Sequence, residues 1–214
     1  MVIAREKINR RALSKERRQQ QLLDATIKCI SNKGLGSMTL ADVASEAGLS
    51  QGIVNLHFKS KDNLLKETLI YLFEDYDNEF MQTVAKSPPQ AAAKLLALME
   101  MDVKPSVCDR KKLAVWFAFW GEAKAVPTYR KICATYEQKY DEIMLDLAEK
   151  IIGEGDYTDI DAQTVTDVLT SMTDGLWLAC LIHPKTFNRG TAMKSIYSYL
   201  HAVFPDHYPK ERDP

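Results

Sequence analysis

Residues 39–61, Thr-Leu-Ala-Asp-Val-Ala-Ser-Glu-Ala-Gly-Leu-Ser-Gln-Gly-Ile-Val-Asn-Leu-His-Phe-Lys-Ser-Lys, constrain this chain more than any other stretch. Their spacing predicts two short helices around a glycine corner. Thr39 stands where an N-cap is needed, and Asp42 three residues on completes a capping box. Leu40, Val43, Ala44 and Ala47 then fall on one apolar face at helical spacing. Gly48 occupies the corner, where a positive φ is cheapest for glycine. Ser50 is placed to cap a second helix of about two turns. Leu49, Val54 and Phe58 turn inward, which leaves Gln51, Asn55, Leu56 and His57 facing out. A short helix braced by its neighbours, with amides on its free face, fits a DNA major groove. The plainer reading of the same residues is an ordinary helical hairpin.

This stretch also resembles the signature of the TetR family of repressors. The matching residues are Thr39, Asp42, Val43-Ala44, Ala47-Gly48-Leu49-Ser50, Gly52, His57-Phe58, Lys61-Asp62 and Leu64. The resemblance implies a DNA-reading second helix, with His57 bonding a phosphate. It also implies that the next long helix touches the DNA backbone at its start, at Lys61. It departs from the family at Asn55, where most members carry a tyrosine that touches phosphate; Asn55 keeps the ability to bond a phosphate or an adenine edge. Among base contacts Gln51 comes first, because its amide serves adenine N6 and N7 together, and Asn55 follows one turn on. Leu56 is placed either to meet a thymine methyl or to join the core. Thr39 can offer its N–H or hydroxyl to a phosphate. With Ser50 and Gly52 at the start of the reading helix, the candidate DNA-binding set is Thr39, Ser50, Gln51, Gly52, Asn55, Leu56, His57 and Lys61.

Charge distribution agrees with a phosphate-facing head. Residues 1–61 hold 11 Lys/Arg against 5 Asp/Glu and the remainder 17 against 24, although the whole chain sums to −1. Arg10, Arg11, Arg17 and Arg18 would add sequence-independent attraction that falls with salt. A merely solvated basic surface is the alternative. Cys29, Cys108, Cys133 and Cys180 show neither a C-x-x-C pair nor zinc spacing, so no metal or other cofactor is expected. The first residues lack the apolar run of a signal peptide, and no stretch reads as the ~20 apolar residues of a membrane span. A cytoplasmic protein without membrane contact is the expectation.

At 214 residues and 46% hydrophobic content the chain can bury a sizeable core. No alternating strand pattern is visible, so the fold class is all-α. A three-helix helix-turn-helix head over 1–65 joins a larger helical bundle over 66–214, which would bind ligand and dimerise. Residues 1–13 read as an arm before a helix from Ser14 to about Lys33. The long helix from Lys61 reaches about Lys86 and stops at Pro88-Pro89. Helices then follow near 89–103, 109–124, 127–152, 161–183 and 189–203.

The segment near 161–183 is apolar over more than one stripe, and the last helix offers Ala192, Ile196, Tyr199, Leu200 and Val203. These two either pack inside a monomer or pair with a second copy as a four-helix bundle. The TetR resemblance implies the homodimer, and with it a palindromic double-stranded operator. Trp116, Phe119 and Trp120 share a helix face, with Tyr129, Tyr136 and Tyr140 on the next helix and Trp177 on the one after. They form either an aromatic core or a small-molecule pocket. In a pocket for a cation, Glu122 or Asp174 would supply countercharge. Trp-x-x-Phe-Trp and the later Asp-Gly-Leu-Trp-Leu are similar to the BetI-like repressors of the TetR family, the regulators of choline-to-betaine synthesis. That resemblance implies a choline-like inducer; on the pocket reading its contacts would be Trp116, Phe119, Trp120, Glu122, Tyr136, Tyr140, Asp174 and Trp177.

Two other classes compete. An enzyme would need a nucleophile motif, a phosphate loop or a metal set, and none is present. A helical adaptor or lipid carrier would explain the apolar bundle but not the basic head or the polar face of residues 51–57.

Overall fold

The computed structural model describes residues 2–210, with side chains from Lys15 onward; the side chains of Arg10 and Arg11 lie outside the described residues. Nine helices are present among them and no strand, as the patterning predicts. They are α1 (Val2–Lys33), α2 (Leu40–Glu46), α3 (Gln51–Phe58), α4 (Lys61–Lys86), α5 (Ala91–Asp102), α6 (Arg110–Glu122), α7 (Pro127–Glu154), α8 (Ala162–Ile182) and α9 (Arg189–Val203).

Two compact units divide the chain. The first holds residues 1–72 with 114–132, and the second holds 73–113 with 133–214. In the first unit, α2 packs against both α1 and α3. Leu22, Leu23, Ala25, Ile27 and Ile30 of α1 are buried, as are Val43, Ala44, Val54 and Phe58. The Gln21 side chain adds a brace by donating to the Ala47 carbonyl at 2.7 Å. One expectation is corrected here: the backbone is helical from Val2, so residues 2–13 are the first turns of α1 and not an arm. The stretch holds no Gly or Pro and is rich in Ala, Arg, Lys and Glu, which leaves nothing to break a helix. Gly34, at φ +82°, ends it.

In the second unit α5, α8 and α9 contact one another. Asp161 caps α8 and Asn188 caps α9 through their side chains. α7 runs past Gly153 and stops at Gly155, where a Cβ would fall inside the Tyr157 ring. A second correction concerns α8. Its 21 residues are long and apolar enough to match a membrane span by length and composition alone. The sequence pattern hides this because Asp167 and Asp174 and several threonines interrupt the run. Part of its apolar surface is core: Val165, Leu169, Trp177 and Cys180 are buried in the unit. Leu178 and Ile182 are exposed.

Candidate functional site

The corner of the first unit is built as its sequence dictates. Thr39 Oγ1 accepts from the Asp42 N–H at 3.2 Å, and Asp42 returns the bond by accepting from the Thr39 N–H at 3.0 Å. Lys33 reaches across from α1 to the Asp42 carboxylate at 2.6 Å. That ammonium first, then the Thr39 hydroxyl and N–H, draw the Asp42 carboxyl down to about 2. Gly48 turns the chain at φ +63°. The Leu49 N–H then returns to the Ala44 carbonyl at 2.9 Å, which closes the corner and aims α3 away from α2.

α3 is held from behind and bare in front. Val54 is fully buried and Phe58 is 1% exposed, one turn apart on its inner face. Gln51, Gly52 and Asn55 are exposed, and Leu56 is 74% exposed. The structure therefore settles Leu56 on the outer face. Thr39 and Ser50 are exposed, while His57 and Lys61 are half-buried. Ser50 occupies the N-cap with extended backbone, yet its hydroxyl makes no capping bond, contrary to expectation. Its carbonyl takes the Ile53 N–H at 2.9 Å and the Val54 N–H at 3.4 Å, so these two donors are satisfied without the side chain. Ser60 does make such a bond, its hydroxyl accepting from the Asn63 N–H at the start of α4.

Two features of this face were not legible in the sequence. The Lys61 ammonium donates to the Gly36 carbonyl at 3.0 Å, tying the start of α4 to the turn before α2. Lys59 closes α3 at φ +63°, a conformation that costs a side-chain-bearing residue. His57 is held below its ordinary value by burial first, then by the neighbouring Lys15 and Arg18 charges of α1. The imidazole at the edge of α3 thus stands neutral beside a basic rim.

The second unit carries four of the residues expected to contact a ligand: Tyr136, Tyr140, Asp174 and Trp177. They meet residues that the sequence did not single out. Tyr76 of α4 lies edge-on to Tyr140 at 5.0 Å and 74°, and edge-on to Trp177 at 5.7 Å and 83°. Phe80 joins Tyr140 at 4.9 Å, and Tyr136 stacks on Phe73 at 4.6 Å. Below Tyr76 sits Asp102, 8% exposed. Its Oδ1 accepts from Tyr76 Oη at 2.7 Å and its Oδ2 from Thr173 Oγ1 at 3.1 Å. Trp177 Nε1 donates to the Asp102 carbonyl at 2.9 Å. Burial pushes the Asp102 carboxyl up to about 7, with the nearby Asp174 charge adding and the two hydroxyl donors opposing. Asp174 is lifted to about 6, by burial first and then by Glu137 and Asp141 of α7. The available signal was an acid at the end of an otherwise apolar α5 stripe, Leu-Leu-Ala-Leu-Met-Glu-Met-Asp.

Trp116, Phe119, Trp120 and Glu122 belong to the first unit. Trp116 and Trp120 lie 6.1 Å apart, and Phe119 meets Tyr129 edge-on at 5.0 Å. Trp120 Nε1 is buried without a hydrogen-bond partner, while Glu122 is exposed. No cluster of metal-ligating side chains occurs among the described residues. All four cysteines are buried thiols.

Residues 22–68 match the family of bacterial regulatory proteins of the TetR type, and residues 82–205 match the C-terminal domain of BetI-type transcriptional repressors. The HTH-type transcriptional regulator BetI of Yersinia pestis (strain Pestoides F) is 28% identical over 185 residues, 86% of this chain and 90% of its own. A transcriptional regulator from Pseudomonas aeruginosa PAO1 shares the fold at a TM-score of 0.80 and 23% identity, covering 92% of this chain and 95% of its own. A regulator from Saccharomonospora viridis, solved in complex with choline, does so at 0.74 and 21%, covering 86% and 95%. A helix-turn-helix head with a bare reading face, followed by a domain that matches over more than half of the chain, leads to one conclusion: the chain belongs to the TetR family of bacterial regulatory proteins, in its BetI-type branch, and is a transcriptional regulator and not an enzyme.

Proposed function

We propose that this regulator is a repressor that grips a palindromic operator as a homodimer and lets go when a choline-like cation binds. The observation that carries the DNA half is the bare outer face of α3, with Gln51 and Asn55 one turn apart and Val54 and Phe58 anchoring it from behind. Gln51 reads a base edge, Asn55 a base or a phosphate, and Leu56 a thymine methyl. Ser50, whose hydroxyl is not used in capping, donates to phosphate, as do Thr39, His57 and Lys61. Gly52 lets the backbone come close. Residues 1–65 serve as the DNA-binding domain and 66–214 as the effector and dimerisation domain.

Dimerisation through α8 and α9 is supported by Leu178 and Ile182, which stand exposed at i, i+4 on α8. The cationic effector is supported by the aromatic rings of Tyr76, Tyr140 and Trp177 grouped with carboxylates in the second unit, since ring faces and a countercharge are what a quaternary ammonium needs. Tyr136 and Asp174 complete that set. In the first unit, the unpartnered Trp120 N–H is a donor that a ligand oxygen would satisfy, and Trp116, Phe119 and Glu122 remain contacts proposed beside it. Fragments of the source genome retained by the purified protein, then challenged with choline in a gel shift, test both halves. Retention of a discrete fragment that choline releases supports the proposal; failure to retain any fragment ends it.

A further inference from the structure

We infer that Asp102 is the residue by which the second unit tells a cation from a neutral molecule of the same shape, ionising as the cation arrives. The inference rests on the cationic-effector reading above. α5 buries Ala91, Leu95, Leu98, Met99 and Met101, and among them a carboxylate has no packing role. Among the described residues no Lys or Arg pairs with it. Among the described residues its side chain accepts hydrogen bonds from two neutral hydroxyls, and the nearby charge is the like-signed Asp174. A buried carboxylate without a countercharge is costly, so in the unliganded protein it is about half protonated at pH 7 and mostly protonated at pH 6.

The aromatic group is fastened to this one residue twice, Tyr76 through the carboxylate and Trp177 through the carbonyl. Tyr140 and Trp177 both stand nearly perpendicular to Tyr76, so π faces are presented in different directions beside the acid. A quaternary ammonium seated on these rings supplies the charge that Asp102 lacks. A neutral isostere fills the same space and supplies none.

The other groups around Asp102 do not substitute for it. α4 contributes Tyr76, whose phenol stays neutral well above its ordinary value. α8 contributes Thr173 and Asp174, and α7 the charges of Glu137 and Asp141 that act on Asp174. Cys108, before α6, is a buried thiol. Arg189 of α9 spends its guanidinium on the carbonyls of Val103 and Cys108.

Calorimetric titration of the full-length protein decides it. The ligands are choline and 3,3-dimethylbutan-1-ol, its uncharged carbon isostere, at pH 6 and pH 8 in two buffers of unlike ionisation enthalpy. Wild type should bind choline about ten- to twentyfold more weakly at pH 6 than at pH 8, about ten from Asp102 near 7 and at most about two more from Asp174 near 6. Close to one proton should leave per choline at pH 6. Asp102→Asn should lose most of the preference for choline over the alcohol, and its pH effect should fall to at most about twofold, the share left to Asp174 near 6. Choline uptake by wild type without proton release, or a full preference for choline in Asp102→Asn, overturns the inference alone. If the variant does not fold, the wild-type proton count still decides. No heat from choline on folded wild type defeats the effector reading and the inference together.

Discussion

Gln51 and Asn55 differ from the residues around them in what they lack: no capping, packing or ion-pair duty explains an amide at either place. Gln51→Ala should therefore weaken the operator complex by about 1–3 kcal/mol, the scale of one base contact, and leave random DNA nearly unchanged. Isotherms on both sequences check it, and equal loss on the two removes Gln51 from base reading. Lys61 is a different case, because its ammonium already holds the Gly36 carbonyl. Lys61→Ala should weaken all sequences alike and lower the slope of log affinity against log salt by about one, since one phosphate neutraliser is gone. Its melting temperature reports separately on the lost tie, so the two roles part in the data.

At the scale of elements, α2 and α3 stand on a few local bonds whose strength can be varied. The Asp42 carboxyl lies below its unfolded value of about 3.9, so its contribution is whole above about pH 4 and is lost as pH falls toward 2. Asp42→Asn should flatten the acid limb of the stability curve between those limits, as followed by circular dichroism; an unchanged limb would assign acid unfolding elsewhere. Thr39→Ala removes the cap acceptor and should cost about 1 kcal/mol. Lys59→Gly should instead gain about 1 kcal/mol, because glycine accepts φ +63° without strain.

These elements also mark how far the sequence could be read. The helix-turn-helix was legible because caps, corner and apolar faces are local and fall within 23 residues. The start of α1 was missed because charged, polar residues suit a helix and an arm equally. Residue type marks Ser50 as a cap, but whether its hydroxyl bonds depends on a rotamer that the sequence does not carry. Tyr76, Phe80 and Asp102 were missed for another reason: they come from α4 and α5, and only the folded unit brings them to Tyr140 and Trp177. Adjacency of that kind has no period along the chain.

For the whole molecule, the proposed action needs two heads held at a fixed separation. Leu178→Glu with Ile182→Glu changes exposed residues only, so each chain should stay folded, with its helical circular dichroism unchanged. The pair should nonetheless convert a dimer to single chains in light scattering and abolish operator binding, because a carboxylate buried in an apolar interface is unpaired. A dimer that survives both changes would place the interface elsewhere. Effector release follows the same logic. Choline can shift the population only by its differential affinity for the releasing state, and that difference is what the gel shift reads.

Dimethyl sulfate footprinting of the retained promoter fragment, which reads guanine N7 in the major groove and adenine N3 in the minor, decides whether two reading helices grip the DNA. Two copies of α3 related by a two-fold axis predict two protected patches in successive major grooves, about 10–10.5 base pairs or a small multiple apart, with symmetric sequence beneath them. A single protected patch, or protection of minor grooves alone, would contradict the account.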